Sequence, residues 1–485
     1  MKRAVIRLIS ETTCKIENLE LKIRQQLVNK FSYDIPGARF TPSVKLGRWD
    51  GKKKFFSLGG VTYINLLPEM VDIITDAGYE LDLVDNREQK QDFTFEKITE
   101  TSFSHISWGE GHPHAGSPII LRDYQAEAVN IFLNDLQCIQ CLATGSGKSI
   151  VSGILANKCE PFGRTILIVP SKDLVRQTES DYKLLGLDVG VFFGNRKEYT
   201  KTHTICTWQS LLSLFKKTKD GEANIPFSDF IAGVVCVMVD ECHLASADGL
   251  LSLLTGPMAN IPIRWAFTGT IPKELFARKS LQVSIGEVVG TIKAKELQDA
   301  GVLSNCFVHI KQMVDYVEFK QYPDELAYLL KTTARLDYIA AEIQKIAKTG
   351  NTLVLIDRVE PGQYIADHIE NAVFLSGRDK SSVRKEQYDS VTDSDNKLLI
   401  CSYGIASTGI SITKIHNLVL IEPGKSFVRV VQSIGRGLRK GHGKDYVDIY
   451  DFTSTCKFAK AHLAKRKQYY NEAQYKFSIE KVNWQ

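Results

Sequence analysis

With 485 residues, 44% of them hydrophobic, and a net charge of +5, the chain can bury the cores of about two to four domains. It has no apolar stretch near the ~20 residues that span a bilayer, and its start, MKRAVIRLIS, lacks a long apolar core, so we expect neither a membrane partner nor a secretory signal. Its ten scattered cysteines do not suggest a disulfide framework and predict a reduced, cytoplasmic protein.

The first 90 residues are basic and carry mixed secondary-structure signals. VIRLI predicts a strand, IENLELKIRQQLVNKF predicts a helix, and the residues that follow predict short strands joined by glycine turns. Residues 1–60 hold thirteen Lys and Arg against five Asp and Glu, a net charge of +8. We expect residues 1–90 to be a small α+β domain that binds nucleic acid; a solvated charged surface without a partner is the alternative.

The stretch GRWDGKKKFF, residues 47–56, combines cations with aromatic rings. Its lysines can contact phosphates while its aromatic rings stack on exposed bases. The residues concerned are Trp49, Lys52, Lys53, Lys54, Phe55 and Phe56. The alternative is an amphipathic hairpin whose aromatic side chains face the core.

Residues 91–117 are polar and then rich in Gly and Pro, which predicts a linker. From residue 118 onward, apolar runs such as TILIVP and VVCVMVD alternate with helical segments. Runs that are apolar on both faces predict parallel strands covered on both sides by helices. Two sets of such runs predict two tandem α/β domains with parallel sheets, at residues 118–290 and 291–455.

The C-terminal residues 456–485 hold seven Lys and Arg against two Asp and Glu. Within them, KFAKAHLAKRKQYYNEAQYKF predicts one basic helix that bears aromatic residues. Basic segments at both ends of the chain favour a polyanionic partner.

A phosphate-binding loop is predicted in CLATGSGKSIVSGIL, residues 141–155, where an apolar strand leads into a helix. Glycines allow backbone N–H groups to surround an anion, and the helix N-terminus adds a positive partial charge. The Lys148 side chain would reach the β- and γ-phosphates, and the Ser149 hydroxyl would bind Mg²⁺. Leu142 departs from the strict motif, which has Gly there. The nucleotide-binding set on this loop is Thr144, Gly145, Ser146, Gly147, Lys148 and Ser149.

The stretch VMVDECHLAS, residues 238–247, ends an apolar strand with two acids. In a phosphate-loop protein, one acid at such a strand end holds Mg²⁺ and its neighbour activates water, which are the roles we predict for Asp240 and Glu241. A zinc site on Cys242 and His243 is disfavoured because no partner pair lies nearby. The paired acids would also suit a metal-dependent nuclease, but the upstream loop favours ATP hydrolysis.

The segment Asp240-Glu241-Cys242-His243 resembles the DExH box of superfamily 2 helicases, and further motifs of that family follow in order. Arg122 and Gln125 resemble the adenine-reading motif. Ser171, and Thr207 with Gln209, resemble the motifs that grip the nucleic-acid strand. Residues 268–270 resemble motif III, residues 407–410, which include Gly409, resemble motif V, and residues 432–439 resemble motif VI.

Within this superfamily, the chain resembles the phage UvsW-type branched-DNA helicases most specifically. Three stretches carry that resemblance: Leu142-x-Thr144, residues 407–411 and Gly47-x-Trp49-Asp50-Gly51. Ser411 stands where most relatives have an acid. The resemblance implies two RecA-like domains and an ATP-dependent DNA helicase or translocase that unwinds or remodels forks, junctions and R-loops in recombination, repair and replication. It implies a monomeric motor, in the host cytoplasm for a phage protein, whose partner is branched or single-stranded DNA, or RNA in hybrids.

The resemblance also implies roles for motif VI, whose Gln432, Arg436 and Arg439 would face ATP·Mg²⁺ and stabilise the charge that develops on the γ-phosphate. Two alternatives stay open: an RNA helicase, which would share every motif, and a motor that remodels protein–nucleic acid complexes. A restriction-type motor subunit would need a nuclease module, for which the sequence shows no separate set of carboxylates.

Overall fold

A computed structural model describes residues 2–88, 91–110, 115–245, 248–392, 394–406, 414–424 and 446–485. The chain divides into two compact units, residues 1–142 with 147–291 and residues 143–146 with 292–485. Within the described ranges, no helix is both long enough and apolar enough to span a bilayer.

The N-terminal domain contains a four-stranded sheet and a separate two-stranded ribbon. In the sheet, β1 pairs with β2 in antiparallel and with β6 in parallel orientation, and β2 pairs with β5 in antiparallel orientation. The ribbon consists of β3 and β4, which are antiparallel. The strands are β1 (Lys2–Leu8), β2 (Thr13–Glu17), β3 (Ser32–Asp34), β4 (Lys52–Lys54), β5 (Val61–Tyr63) and β6 (Tyr79–Asp85).

The first α/β domain is built on an eight-stranded sheet with the order β10-β9-β11-β8-β12-β13-β7-β14. The pairs from β9 across to β7 are parallel, and strands β11, β12 and β13 are buried along their whole length, because helices cover both faces. The strands are β7 (Gln137–Leu142), β8 (Arg164–Val169), β9 (Val189–Phe193), β10 (Arg196–Lys197), β11 (His203–Thr207), β12 (Val234–Val239), β13 (Ile263–Thr268) and β14 (Glu287–Ile292).

The second α/β domain has a seven-stranded sheet with the order β17-β18-β16-β19-β20-β15-β21, in which every pair is parallel. The strands are β15 (Asn305–Met313), β16 (Thr352–Ile356), β17 (Ala372–Leu375), β18 (Leu398–Ser402), β19 (Asn417–Ile421), β20 (Tyr446–Ser454) and β21 (Lys476–Val482). These two sheets and the small N-terminal sheet confirm the predicted α/β fold class.

The helices connect the strands and supply the layers on the sheets. In chain order they are α1 (Leu21–Lys30), α2 (Pro42–Lys45), α3 (Leu67–Asp76), α4 (Asp123–Asn134), α5 (Lys148–Cys159), α6 (Lys172–Leu184), α7 (Trp208–Lys219), α8 (Phe227–Ile231), α9 (Asp248–Thr255), α10 (Leu275–Ser284), α11 (Ala294–Asp299), α12 (Tyr322–Lys331), α13 (Thr333–Ala347), α14 (Val359–Asp367), α15 (Ser381–Thr392), α16 (Tyr403–Ala406) and α17 (Lys457–Glu472).

The N-terminal domain and the first α/β domain share one hydrophobic core. Phe55 stacks on Phe276 of α10, with ring centroids 6.3 Å apart and an interplanar angle of 15°. Val283 of α10 is buried in the same cluster. At the edge of this contact the Lys279 ammonium pairs with the Glu69 carboxylate. Because burial of several large apolar side chains is worth several kcal/mol, the two domains are expected to behave as one rigid body.

The structure corrects two predictions made from the sequence. Phe55 and Phe56 are only 1% and 0% exposed, so the prediction that they stack on bases is wrong and the core-facing alternative is confirmed. The predicted single C-terminal helix ends at Glu472, because Gln474 has a left-handed φ of 57° that a helix cannot accommodate. The residues that follow form β21, which pairs with β15.

Candidate functional site

The loop between β7 and α5 has a backbone suited to an anion. Gly145 and Gly147 have φ values of 89° and 91°, in the left-handed region that favours glycine. A Cβ atom on Gly147 would lie 2.4 Å from Gln125 Nε2, so a side chain at this position would displace the Gln125 amide. The loop leads into the N-terminus of a twelve-residue helix, whose first N–H groups have no partners within the helix. The predicted residues from 144 to 149 thus form an anion cradle.

Lys148, the first residue of α5, forms an ion pair with Glu241. Its Nζ donates to Glu241 Oε1 at 2.8 Å and to the Leu142 carbonyl oxygen at 3.4 Å. Burial alone would lower the pKa of Lys148, but the negative charges of Glu241 and Asp240 outweigh it and raise that pKa. Burial likewise opposes ionisation of Glu241, yet Lys148 holds the Glu241 pKa below its ordinary value. Both groups are therefore charged at neutral pH.

The two acids follow directly after β12. Asp240 Oδ1 accepts a hydrogen bond from the Glu241 backbone N–H at 2.8 Å. Glu241 has a left-handed φ of 49°, an uncommon conformation for a non-glycine residue and one that is concentrated at functional sites. This turn directs the Glu241 carboxylate toward Lys148, and it leaves Asp240 at the end of the strand.

A hydrogen-bond network links Glu241 to the end of β13. His243 Nδ1 lies 3.4 Å from Glu241 Oε2 and 2.6 Å from Thr268 Oγ1. The Gly269 N–H donates to Glu241 Oε2 at 3.3 Å, and Thr268 Oγ1 donates to the Thr270 carbonyl at 2.7 Å. Burial lowers the pKa of His243, so its ring is neutral. The DExH motif and motif III are thus joined through side chains.

This role of His243 was not predicted from the sequence, although the sequence contains the signal. β12 and β13 are parallel neighbours, with Met238 opposite Trp265 and Val239 opposite Ala266. Residues that follow the carboxyl ends of neighbouring parallel strands meet at one edge of the sheet. Two polar stretches after adjacent strands therefore predict a contact, once the strand order is known.

Two buried hydroxyl groups at the strand ends have no hydrogen-bond partner among the described residues. They are Oγ1 of Thr144, on the phosphate loop, and Oγ1 of Thr270, which is 5% exposed. Buried hydroxyls in folded proteins almost always have partners, so each of these groups is suited to bind a ligand. The glycine cradle, the Lys148 cation and the Thr144 hydroxyl together are suited to bind the phosphates of a nucleoside triphosphate.

Gln125, the predicted adenine reader, lies at the start of α4. Its Oε1 accepts a hydrogen bond from the Arg122 N–H at 3.0 Å, which caps the helix. Its Nε2 approaches Gly147 of the phosphate loop. The Arg122 guanidinium donates to the Tyr124 hydroxyl at 3.0 Å. The structure therefore brings Gln125 to the loop and leaves Arg122 beside it at the helix start.

A basic cavity of about 640 Å³ opens at the carboxyl ends of β8 and β11. The three predicted strand-gripping residues Ser171, Thr207 and Gln209 all line it. Ser171 and Thr207 cap α6 and α7, accepting hydrogen bonds from the N–H groups of Leu174 and Ser210 at 3.3 Å each. We call this cavity the lysine groove, because its lining includes Lys172, Lys197 and Lys217.

The predicted N-terminal contacts lie on the ribbon, away from the β7 and β12 strand ends. Trp49 Nε1 donates to the Lys52 carbonyl at 3.1 Å, and Lys54 Nζ lies 3.3 Å from Asp50 Oδ2. Lys52 and Lys54 are exposed, and Lys53 is half-buried. The ribbon thus presents cations to solvent, in a sheet separate from the phosphate loop.

Some predicted residues cannot be placed. Gly409 of motif V and Gln432, Arg436 and Arg439 of motif VI lie outside the described residues.

Comparisons with known proteins match both α/β domains. The family model "Type III restriction enzyme, res subunit" matches residues 118–273, and "Helicase conserved C-terminal domain" matches residues 334–441. The chain is 24% identical over 470 residues to the ATP-dependent DNA helicase uvsW of Enterobacteria phage T4, covering 92% of this chain and 89% of that protein. Taken together, the two family models and the ATP-dependent helicase relative identify an ATP-hydrolysing enzyme.

A shorter sequence similarity and a more distant structural similarity also involve nucleic-acid enzymes. The DNA 3'-5' translocase XPB2 of Sulfurisphaera tokodaii is 28% identical over 180 residues, 37% of each chain. The ATP-dependent Type ISP restriction-modification enzyme LlaBIII, solved bound to DNA, has a TM-score of 0.57 at 12% identity and covers 86% of this chain and 36% of that one. At this identity the structural similarity concerns the fold alone.

Proposed function

We propose that this chain, an ATP-dependent superfamily 2 helicase similar to the phage UvsW type, unwinds or remodels branched DNA such as forks and junctions. The observation that carries the proposal is the Lys148–Glu241 pair, which joins the phosphate loop to the DExH strand end at 2.8 Å. The similarity to a DNA helicase over 92% of the chain supports DNA as the substrate. We expect the protein to act as a monomeric motor, in the host cytoplasm if it belongs to a phage.

The residues around the phosphate loop would divide the work of hydrolysis. Lys148 would hold the β- and γ-phosphates, with the N–H groups of the glycine cradle. Ser149 and Asp240 would hold Mg²⁺, which supplies neutralisation of phosphate charge when it is bound. Glu241 would accept the proton of the attacking water, since its lowered pKa keeps it ionised.

Neighbouring side chains would position this machinery. The Gly269 N–H donates to the second Glu241 oxygen and would orient the carboxylate, and neutral His243 packs 3.4 Å from that oxygen. Gln125 would read the adenine edge. Gln432, Arg436 and Arg439, with Gly409, are proposed from the family resemblance to act on the nucleotide phosphates.

The first α/β domain is called the first motor domain below. In it, the lysine groove is the proposed binding site for one DNA strand. Backbone N–H groups at the starts of α6 and α7 can bind phosphates, and the lysines supply positive charge. Burial and the nearby Lys217 charge lower the pKa of Lys197, as is expected when cations lie close together. A phosphate between them would relieve that repulsion.

The ribbon cations would add contacts to the branch point. Trp49 and Lys52 to Lys54 lie on a domain that shares a core with the first motor domain, so they would move with it. Phosphate contacts at this position would hold the duplex while the motor advances along one strand.

The test is the ATPase rate of the full chain with forked, duplex and single-stranded DNA and with RNA of the same sequence. We expect forked DNA to stimulate hydrolysis most, with Lys148→Ala as the inactive control. Stimulation by RNA alone would favour the RNA helicase alternative. Stimulation by neither nucleic acid would contradict the proposal.

A further inference from the structure

The ribbon of β3 and β4 carries a structured tip, residues 35–51. The strands pair from Ser32 opposite Lys54 to Asp34 opposite Lys52, and the Ile35 N–H donates to the Gly51 carbonyl at 2.9 Å. Beyond that bond the chain forms a short 3-10 turn and then α2, which begins with Pro42. The tip is therefore a folded projection and not an open loop.

The tip has a small interior of its own. Ala38 is 5% exposed and lies against Gly51, where an added Cβ would be 3.4 Å from the Ala38 Cβ and 3.5 Å from a Val44 methyl. Gly51 has φ of 75°, so glycine also fits its backbone. The Arg48 N–H donates to the Ser43 carbonyl at 2.9 Å, which closes α2. These contacts fix which side chains point away from the tip.

The outward side chains of the tip include two large apolar groups. Phe40 is 65% exposed and Leu46 is 64% exposed, on either side of α2. A single exposed apolar residue is ordinary on protein surfaces, but here two occur within seven residues on one projection. Their exposure contrasts with Phe55 and Phe56 at the base of the same ribbon, which are buried.

Positive charge surrounds these apolar groups. Between residues 37 and 54, six Lys and Arg accompany a single acid, Asp50. The Arg39 guanidinium lies 4.8 Å from the centre of the Phe40 ring, and Lys45 and Arg48 are exposed beside Leu46. Apolar side chains within a cationic surface suit unstacked bases attached to a phosphate backbone.

The base of the ribbon is firmly anchored. The Phe55 N–H donates to the Phe31 carbonyl at 2.9 Å, and the Phe55 ring packs on Phe276 of the first motor domain. Leu251 of the first motor domain belongs to the same buried cluster. A force on the tip would therefore be carried by the motor domain itself, and not by a flexible connection.

We propose that Phe40 and Leu46 form a wedge that contacts the unpaired bases where duplex and single strand meet, while the surrounding cations contact the phosphates. This inference rests on the proposed helicase function and names the residues that separate strands at the branch point. Because the ribbon and the first motor domain share one core, movement of the motor along a strand pushes the wedge against the next base pair.

The variant Phe40→Ala with Leu46→Ala tests the wedge, since both side chains are exposed and their removal leaves the core intact. The matched control is Leu83→Ala, which removes a 66% exposed leucine from β6 of the same domain. A second variant, Phe40→Trp, retains an aromatic surface. Each is compared with wild type for ATPase rate on single-stranded DNA and for unwinding of a fork with 2-aminopurine at the first base pair.

We expect the double variant to keep the wild-type ATPase rate on single-stranded DNA and to unwind the fork about tenfold more slowly, with Leu83→Ala unchanged and Phe40→Trp close to wild type. The tenfold change corresponds to ~1.4 kcal/mol. On binding, the 2-aminopurine fluorescence should change with wild type and not with the double variant.

Fork unwinding by the double variant at the wild-type rate would overturn the wedge while leaving the helicase proposal intact. An unwinding defect in a double variant that still gives the wild-type change of 2-aminopurine fluorescence would also overturn it, and would indicate a protein-binding or folding role for the tip. If the wild type itself unwinds no fork, the proposed function fails first, and the two failures are thereby distinguished.

Discussion

Lys148 Nζ and Glu241 Oε1 lie 2.8 Å apart although 93 residues separate them in the sequence. Their ion pair connects the residue that opens α5 with the residue that follows β12. Each side chain is 12% exposed, and each keeps the other charged. The phosphate-holding cation and the water-activating base are therefore one electrostatic unit, and a change in either should affect both.

We expect Glu241→Gln to bind ATP and to lower turnover by about 10² to 10⁴, the usual contribution of a general base. The amide keeps the size of the side chain but cannot accept the proton of water. Nucleotide binding and turnover are measured separately, by equilibrium titration and by phosphate release. Loss of nucleotide binding itself would contradict the role of Glu241 as the base.

The link from His243 to motif III is tested at Thr268, which is fully buried. Thr268→Val keeps the shape and removes the hydroxyl that contacts His243 and Thr270, whereas Thr268→Ser keeps the hydroxyl. We expect the valine variant to lose about tenfold in kcat with little change in KM, because Glu241 loses its orientation. The serine variant should retain most activity. Equal effects of both substitutions would indicate a packing role.

The pH dependence of turnover follows from two lowered pKa values. Burial lowers the pKa of His243, and Lys148 overcomes burial to lower that of Glu241. Both groups therefore keep their neutral-pH form, uncharged imidazole and ionised carboxylate, below the ordinary His pKa of ~6.5. We expect kcat at saturating ATP and DNA to show no inflection as pH falls from about 8 through about 6.5.

The same two groups predict how stability responds to acid. A lowered folded-state pKa contributes stability above the unfolded-state pKa, and this contribution is lost as pH falls through the folded-state value. For His243 this loss begins near the unfolded-state pKa of ~6.5, because only the unfolded state binds the proton there, so the melting temperature should start to fall as pH drops below about 6.5, and His243→Asn should remove that part of the fall. For turnover, an inflection of kcat near pH 6.5 that is absent from the His243→Asn variant would contradict the expected flat profile, because it would show that His243 titrates in the working range.

The lysine groove predicts a difference between two adjacent lysines of α7. Lys217 lines the groove and Lys216 does not. Lys217→Ala should weaken single-stranded DNA binding and reduce the salt slope by ~0.7, the value for one phosphate contact on a single strand. Lys216→Ala, the matched control, should change neither quantity. Equal effects of the two substitutions would indicate a general charge effect.

The ribbon lysines predict a contact at the branch point. Replacing Lys52, Lys53 and Lys54 by Ala should weaken fork binding and lower the salt slope by about one for each phosphate that a lysine no longer neutralises. Unchanged affinity and unchanged salt dependence in a folded variant would leave the ribbon without a DNA role. Point substitutions are preferable to removal of residues 1–90, because removal would expose Phe276 and Val283 to water.

The sequence predicted the parts of this protein that depend on local pattern. Strand β12 could be predicted because its six residues are all apolar. The loop before Lys148 could be predicted because glycines at this spacing allow the left-handed backbone that surrounds a phosphate. The burial of Phe55 could not be decided, since an aromatic residue beside lysines fits both a core and a DNA contact. Only the packing of Phe276 against it, from a distant part of the sequence, settles the matter.

The network through His243 was also beyond local pattern. It depends on β13 lying next to β12, and a single sequence with many parallel strands permits several strand orders. The end of α17 was missed for a different reason. Its residues up to 477 have helical character, and the break is made by a left-handed Gln474, which composition does not indicate.

ATP-driven strand separation is tested by the rate of strand release from a DNA fork, measured for the wild-type protein with ATP and for Glu241→Gln under the same conditions. We predict release by the wild type that depends on ATP, faster on the fork than on an RNA duplex of the same sequence, and no release by the variant despite retained DNA binding. Release at the same rate by the Glu241→Gln variant, or no release from any DNA fork by the wild type, would contradict the proposed helicase activity.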